Sequence, residues 1–145
     1  MLQVFTAIQT KFAGHTDLNN SVTELSFYRA SDKPVYPYMV YFPVSGNPHF
    51  ALGVDDMEKM TLQFSIFSLV ANTTGVFEVM HIYDLLTSVF DNCELPMDNW
   101  NCIYMRRVNN FLVQSNDGKT DVWHYVVDYE LDIDAHPYLT TTVAP

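Results

Sequence analysis

The residues of this chain best suited to chemistry are Asp128, Glu130, Asp132 and Asp134, which alternate with Tyr129, Leu131 and Ile133. In an extended strand this alternation puts the carboxylates on one face at intervals of about 7 Å. At that spacing neighbouring acids can flank a divalent cation or divide the roles of acid and base. No His or Asn stands where it would complete a divalent site. The acids therefore read as the solvated side of a strand whose other side, Trp123, Tyr125, Val127, Tyr129, Leu131 and Ile133, is buried.

A second acidic group, Asp55, Asp56 and Glu58, lacks the alternating ligands, glycine and terminal Glu of an EF-hand loop, and reads as an exposed loop. The histidines, His15, His49, His81, His124 and His136, are scattered and form no HExxH pair. His81 falls on the polar face of a helix, and His124 on a strand facing solvent or a partner. Cys93 and Cys102 are too far apart for a CxxC pair and too few for a zinc site. They read as reduced thiols. With five glycines the chain has no phosphate-cradling loop, dinucleotide fingerprint or nucleophile elbow, so neither a cofactor nor a catalytic nucleophile is expected. Arg106 and Arg107 are the only adjacent bases, and on a strand they point to opposite faces. Either can contact a phosphate or a neighbouring subunit's acid.

Bulk composition narrows the function classes. A chain of 145 residues suits one domain and one core, burying roughly 70% of its unfolded surface. With 48% hydrophobic and 14% aromatic residues it is an ordered, strand-rich globule rather than a linker or low-complexity chain. Seventeen acids against seven bases give a net charge of −10, which repels phosphate and argues against a nucleic-acid grip. No run approaches the roughly 20 apolar residues that span a bilayer, and the first residues lack a signal-peptide pattern. A soluble protein made in a cytoplasm is expected.

Periodicity supplies the elements that position these residues. Met60, Leu62, Phe64 and Ile66 alternate with Thr61, Gln63 and Ser65, a strand with one buried face. After turn and cap material at 71–75, Val76, Val79, Met80, Tyr83, Leu86, Val89 and Phe90 recur at helical spacing and predict a helix packed back on the sheet. Leu2, Phe5, Ile8 and Phe12 predict a short amphipathic helix closed by Gly14. Residues 15–23 read as a polar loop with one irregular turn around 18–22, and 24–30 as a short strand. Residues 35–44 form a strand whose prolines place one side at a sheet edge. Residues 45–58, with Gly46, Pro48 and Gly53, read as a connection longer than folding requires and so functional. Residues 94–99 make a turn at Pro96. Residues 100–115 form a strand with Trp100, Cys102 and Tyr104 on one side and Ile103 and Met105 on the other. Asn116-Asp117-Gly118 signals a hairpin into the last strand. The expected class is α+β, an antiparallel sheet of four to five strands with two helices on one face. One domain covers 1–134, and a flexible tail covers 135–145.

Several blocks in order carry a family resemblance: Phe5-Thr6-Ala7-Ile8-Gln9-Thr10-Lys11-Phe12, Tyr36-Pro37-Tyr38-Met39-Val40, Gln63-Phe64-Ser65-Ile66-Phe67-Ser68, Leu86-Thr87-Ser88-Val89-Phe90-Asp91 and Val122-Trp123-His124-Tyr125-Val126-Val127-Asp128-Tyr129-Glu130. Over residues 1 to about 133 the chain resembles the bacteriophage tail-completion or tail-terminator (head-to-tail joining) proteins. The resemblance implies a non-enzymatic structural subunit that forms a ring, typically a hexamer, at the head-proximal end of the tail tube. Such a ring ends tube polymerisation and joins the tail to the head connector. The implied partners are further copies of the chain, the tail tube protein and a head connector or neck protein. DNA passes through the ring without specific binding, and no membrane is involved. The implied location is the virion, in its tail or neck, with the host cytoplasm during assembly. The polar segment after the first helix and the Thr-rich tail depart from the family's plainest pattern. Gly46, Asp55, Asp56 and Glu58 of the long connection, as a tube- or lumen-facing arm, and Arg106 and Arg107 are the candidate partner contacts. The competing reading is a small α+β ligand-binding or hydrolytic domain with Asp128 or Glu130 as working acid in a pocket between helix and sheet. It requires those carboxylates to face the helix, and their alternation turns them away.

Overall fold

A single six-stranded sheet, ordered β1-β2-β3-β6-β5-β4, carries three helices. The computed structural model describes residues 2–51, 54–70, 75–97, 100–116 and 120–134; positions 2, 45–51, 54–58, 96, 100–104 and 134 are described by their backbone alone. In chain order the elements are α1 (Leu2–Ala13), α2 (Thr16–Ser21), β1 (Leu25–Phe27), β2 (Tyr38–Ala51), β3 (Val54–Leu69), α3 (Gly75–Phe90), β4 (Leu95–Met97), β5 (Trp100–Asn116) and β6 (Asp121–Asp134). Only β1 and β2 run parallel; every other neighbouring pair is antiparallel. The α+β class holds, with one more strand and one more helix than expected.

The core forms where the apolar faces of the two central strands meet. Register sets Met60 opposite Leu131, Leu62 opposite Tyr129, Phe64 opposite Val127 and Ile66 opposite Tyr125. All eight side chains are buried. Above this face α3 lays Val79, Ile82, Leu86, Val89 and Phe90, α1 lays Val4, Ala7, Ile8 and Phe12, and α2 contributes Leu18. Phe64 sits at the centre, its ring 5.2 Å from Phe90, 5.8 Å from Tyr129 and 5.9 Å from Tyr41. Each such side chain contributes about 1.5–3 kcal/mol by leaving water. The α3 stripe is rotated slightly from the expected one, because Ile82 is buried where Met80 is 40% exposed.

Four local expectations are corrected. Residues 16–21 are helical although Thr16-Asp17-Leu18-Asn19-Asn20-Ser21 is polar, because Leu18 is fully buried and anchors the turn. Leu95–Met97 is a strand and not a turn: it pairs with Trp100–Cys102 at the sheet edge, where Pro96 is tolerated. A register shift between Cys102 and Met105 sets them opposite Ile133 and Leu131, which share a face, where strict alternation would separate them.

The largest correction concerns residues 45–58. They are not a loop but the two strands of a long hairpin arm, β2 running to Ala51 and β3 starting at Val54. The prolines permit this because of their phase. The Met39 N–H donates to the Glu24 carbonyl, and the Tyr41 carbonyl accepts from Tyr28, so these positions face away from β3. Pro43 has the same phase, and the register shift between Pro43 and Ser45 brings Pro48 into it. Each missing N–H therefore falls on the outer edge of β2, where β1 pairs only Met39 to Tyr41. The cap region 71–74, the turn at Asp117 and Gly118, and the tail 135–145 lie outside the described residues.

Gly75, at the start of α3, gives a direct check of this packing. A Cβ there would stand 2.1 Å from the Leu69 carbonyl oxygen and 3.3 Å from the Trp123 ring, whereas one at Gly14 would meet nothing nearer than 3.4 Å. Urea denaturation of Gly75→Ala is expected to show a loss of about 3 kcal/mol, and Gly14→Ala a change within about 0.5 kcal/mol. Equal effects would contradict the close approach of α3 to β3.

Candidate functional site

The helix-free face of the sheet gathers the chain's candidate chemistry. On β3 it presents Lys59, Thr61, Gln63, Ser65 and Phe67, opposite Asp132, Glu130, Asp128, Val126 and His124 of β6. Asp128, Glu130 and Asp132 thus lie away from the helices, as their alternation requires; the Asp134 side chain lies outside the described residues. Glu130 takes Lys59 Nζ at 3.0 Å and Arg106 Nη2 at 2.6 Å. Lys59 first, with Arg106 adding, holds the Glu130 carboxyl below its ordinary pKa. These are surface pairs, each worth at most about 1 kcal/mol.

Asp128 is shifted the other way, because burial raises its pKa and a hydrogen bond from Asn109 only partly opposes this. Its Oδ1 has no hydrogen-bond partner, and neither has Nε2 of His124, whose ring stacks on Phe67 at 4.3 Å. Burial lowers the His124 pKa. Two nearby carboxyls with opposed shifts are what acid–base catalysis uses. Here, however, one is engaged by two cations. The hollow of about 290 Å3 on this face is lined by Tyr28, Tyr38, Phe42, Gln63, Phe67 and His124, and neither carboxylate lines it. Among the described residues no group of three His, Cys, Asp or Glu could hold a metal ion.

Arg107 points to the opposite side from Arg106. It meets Asp91 Oδ2 at 3.3 Å and lies 5.5 Å from the centre of the Tyr83 ring. Tyr129 donates its buried hydroxyl to Asp91 Oδ1 at 2.6 Å. Burial first, and then the Asp91 carboxylate, push the Tyr129 pKa far up, so the phenol keeps its proton. Two backbone bonds, Asn92 N–H to Met105 O and Met105 N–H to Cys93 O, complete the attachment of the α3 end to β5. Sequence reasoning missed Asp91. Its signal was an acid one residue beyond a helix C-terminus, where negative charge is disfavoured unless held. Cys93 is a free, half-buried thiol whose pKa burial raises; the side chain of Cys102 lies outside the described residues.

The sheet's long outer strands differ. Beyond Tyr41 the outer edge of β2 carries Pro43 and Pro48 where two donors would be. The outer edge of β5 carries no proline, and β4 covers only Trp100–Cys102. Its residues 106–111 are exposed on both faces, among them Val108 at 47% and Phe111 at 44%. An edge of this length with no partner among the described residues is a ready template for pairing with another chain. The sequence placed Gly46, Asp55, Asp56 and Glu58 together, and they do share the hairpin arm; their side chains lie outside the described residues.

No family model matches the sequence, and no curated protein matches it. Among solved structures, a chain of the virion of a native gene transfer agent particle superposes with a TM-score of 0.68 at 8% identity, over 88% of this chain and 92% of its own. The two share a fold. A second solved chain does so less closely, with a TM-score of 0.55 at 11% identity over 87% of this chain and 94% of its own.

The buried, half-solvated carboxyl yields a pH prediction. The folded pKa of Asp128 lies above its ordinary value of 3.8, so between the two the folded state holds more protons and stability falls as pH rises. At neutral pH the charged form costs stability. Asp128→Asn is therefore expected to raise the melting temperature at pH 7, with the gain shrinking as pH approaches and passes below 3.8. Melting curves showing a loss at pH 7 would contradict the assigned environment.

Proposed function

We propose that this chain is a structural protein of a phage virion. It forms a ring of its own copies at the head-proximal end of the tail tube, stops tube growth and joins the tail to the head connector. The observation that carries this is the shared fold, end to end, with a chain of a gene transfer agent virion. That likeness supports a virion component; the ring and its place at the tube end rest in addition on the sequence resemblance to tail terminators.

Two physical features are in keeping with it. An open β5 edge and a protruding hairpin offer two different surfaces on one subunit, as head-to-tail closure needs. A chain of net charge −10 lets DNA pass without adhering. The hydrolytic alternative loses its geometric basis, since Asp128 and Glu130 occupy the sheet face opposite α3. In this reading the partners are the tail tube protein and the neck, the location is the virion, and no cofactor is used.

Deleting the gene from a phage or particle that encodes the chain tests the role. Electron microscopy is expected to show tails of uncontrolled length and heads without tails, both corrected by supplying the chain in trans. Normal joined particles in the deletion would overturn the proposal.

A further inference from the structure

The β5 edge and the hairpin arm are opposite in charge. β5, 17 residues long, contains Arg106 and Arg107 and no acid, in a chain with seventeen acids. The arm, residues 45–58, contains Asp55, Asp56 and Glu58 and no Lys or Arg. Among the described residues both also carry backbone with no strand partner. The last described pair of β6 sets Asp134 opposite Met57, and among the described residues nothing pairs β3 at 54–56 on that side. That segment extends about 10 Å past the level of Asp134.

We propose that in the assembled ring the arm of one copy lies against the β5 edge of the next, its acids meeting Arg106. This rests on the ring proposed above and names its joint. The Arg106 side chain is 51% exposed while it holds Glu130 through Nη2. A guanidinium has five donors, so it can take a second carboxylate without releasing the first. The outer edge of β2, with prolines at 43 and 48, makes a poor strand partner for β5, which leaves the β3 side of the arm as the matching surface. Because arm and edge are different patches of one chain, the contact is heterologous: it repeats around an axis and closes into a ring without pairing like with like.

The test is a charge exchange read by light scattering and negative-stain microscopy of the full chain, with and without the tail tube protein. Arg106→Glu alone, and Asp55→Arg with Asp56→Arg alone, are each expected to raise the concentration needed for ring formation by about tenfold or more. The three substitutions in one chain are expected to restore it, and added salt to weaken the wild-type ring. Melting curves check that each variant folds. Arg106→Gln, which adds no charge beside Glu130, serves if Arg106→Glu does not fold, and is expected to weaken assembly in the same direction. Rings indifferent to every variant, or weakened by each set and not rescued by the combination, would overturn this joint and leave the ring standing. A wild-type chain that forms no ring in either condition would overturn both.

Discussion

The antiparallel ladder between β3 and β6, from Met57 opposite Asp134 to Leu69 opposite Val122, is the constraint on which the rest of the molecule depends. Side chains alternate along both strands, so the register that buries Phe64 against Val127 and Leu62 against Tyr129 also fixes what faces outward. A slip of one residue in both strands would carry Asp128 and Glu130 under α3 and Tyr129 into water. Burial of one apolar face thus determines where the acids stand, and their position follows without any requirement of their own. The clasp of Asp91 by Tyr129 and Arg107 then ties the end of α3 to β6 and β5.

The parts of the fold that follow from local period were legible in the sequence. The β3 and β6 alternation and the helical spacing in α1 and α3 are each a property of one contiguous stretch, and burial follows them closely. The parts that were not legible depend on neighbours. Leu18 makes a helix of a polar hexapeptide because a pocket between α1 and α3 receives it. Residues 45–58 contain glycine, proline and clustered acids, all loop signals, yet they are strands because Pro48, like Pro43 before it, falls in the phase that faces the outer edge. The β5 bulges shift two side-chain phases that alternation alone would misassign.

The same division holds for the candidate site. Opposite pointing of Arg106 and Arg107, and the outward acids of β6, came directly from strand geometry. Their pairings with Glu130, Lys59 and Asp91 are contacts between residues distant in sequence and became visible only in three dimensions. Which edges of the sheet are open likewise depends on strand order. Among the described residues that order leaves β5 bare from Arg106 onward and limits the cover of β2 to three residues of β1. A bare strand edge is a hazard for an isolated chain and an advantage for one that works inside an assembly.

Amide hydrogen exchange, compared between the isolated chain and the same chain within assembled particles, is the most direct measurement of this account. In the isolated chain the β3 and β6 amides should exchange only through global unfolding, while amides of residues 108–116 that face away from β6 exchange fast. On assembly those outward β5 amides should become protected. If they are already as slow as β6 in the isolated chain, or remain fast in the particle, β5 is not an open edge that a partner covers, and the assembly role built on it fails.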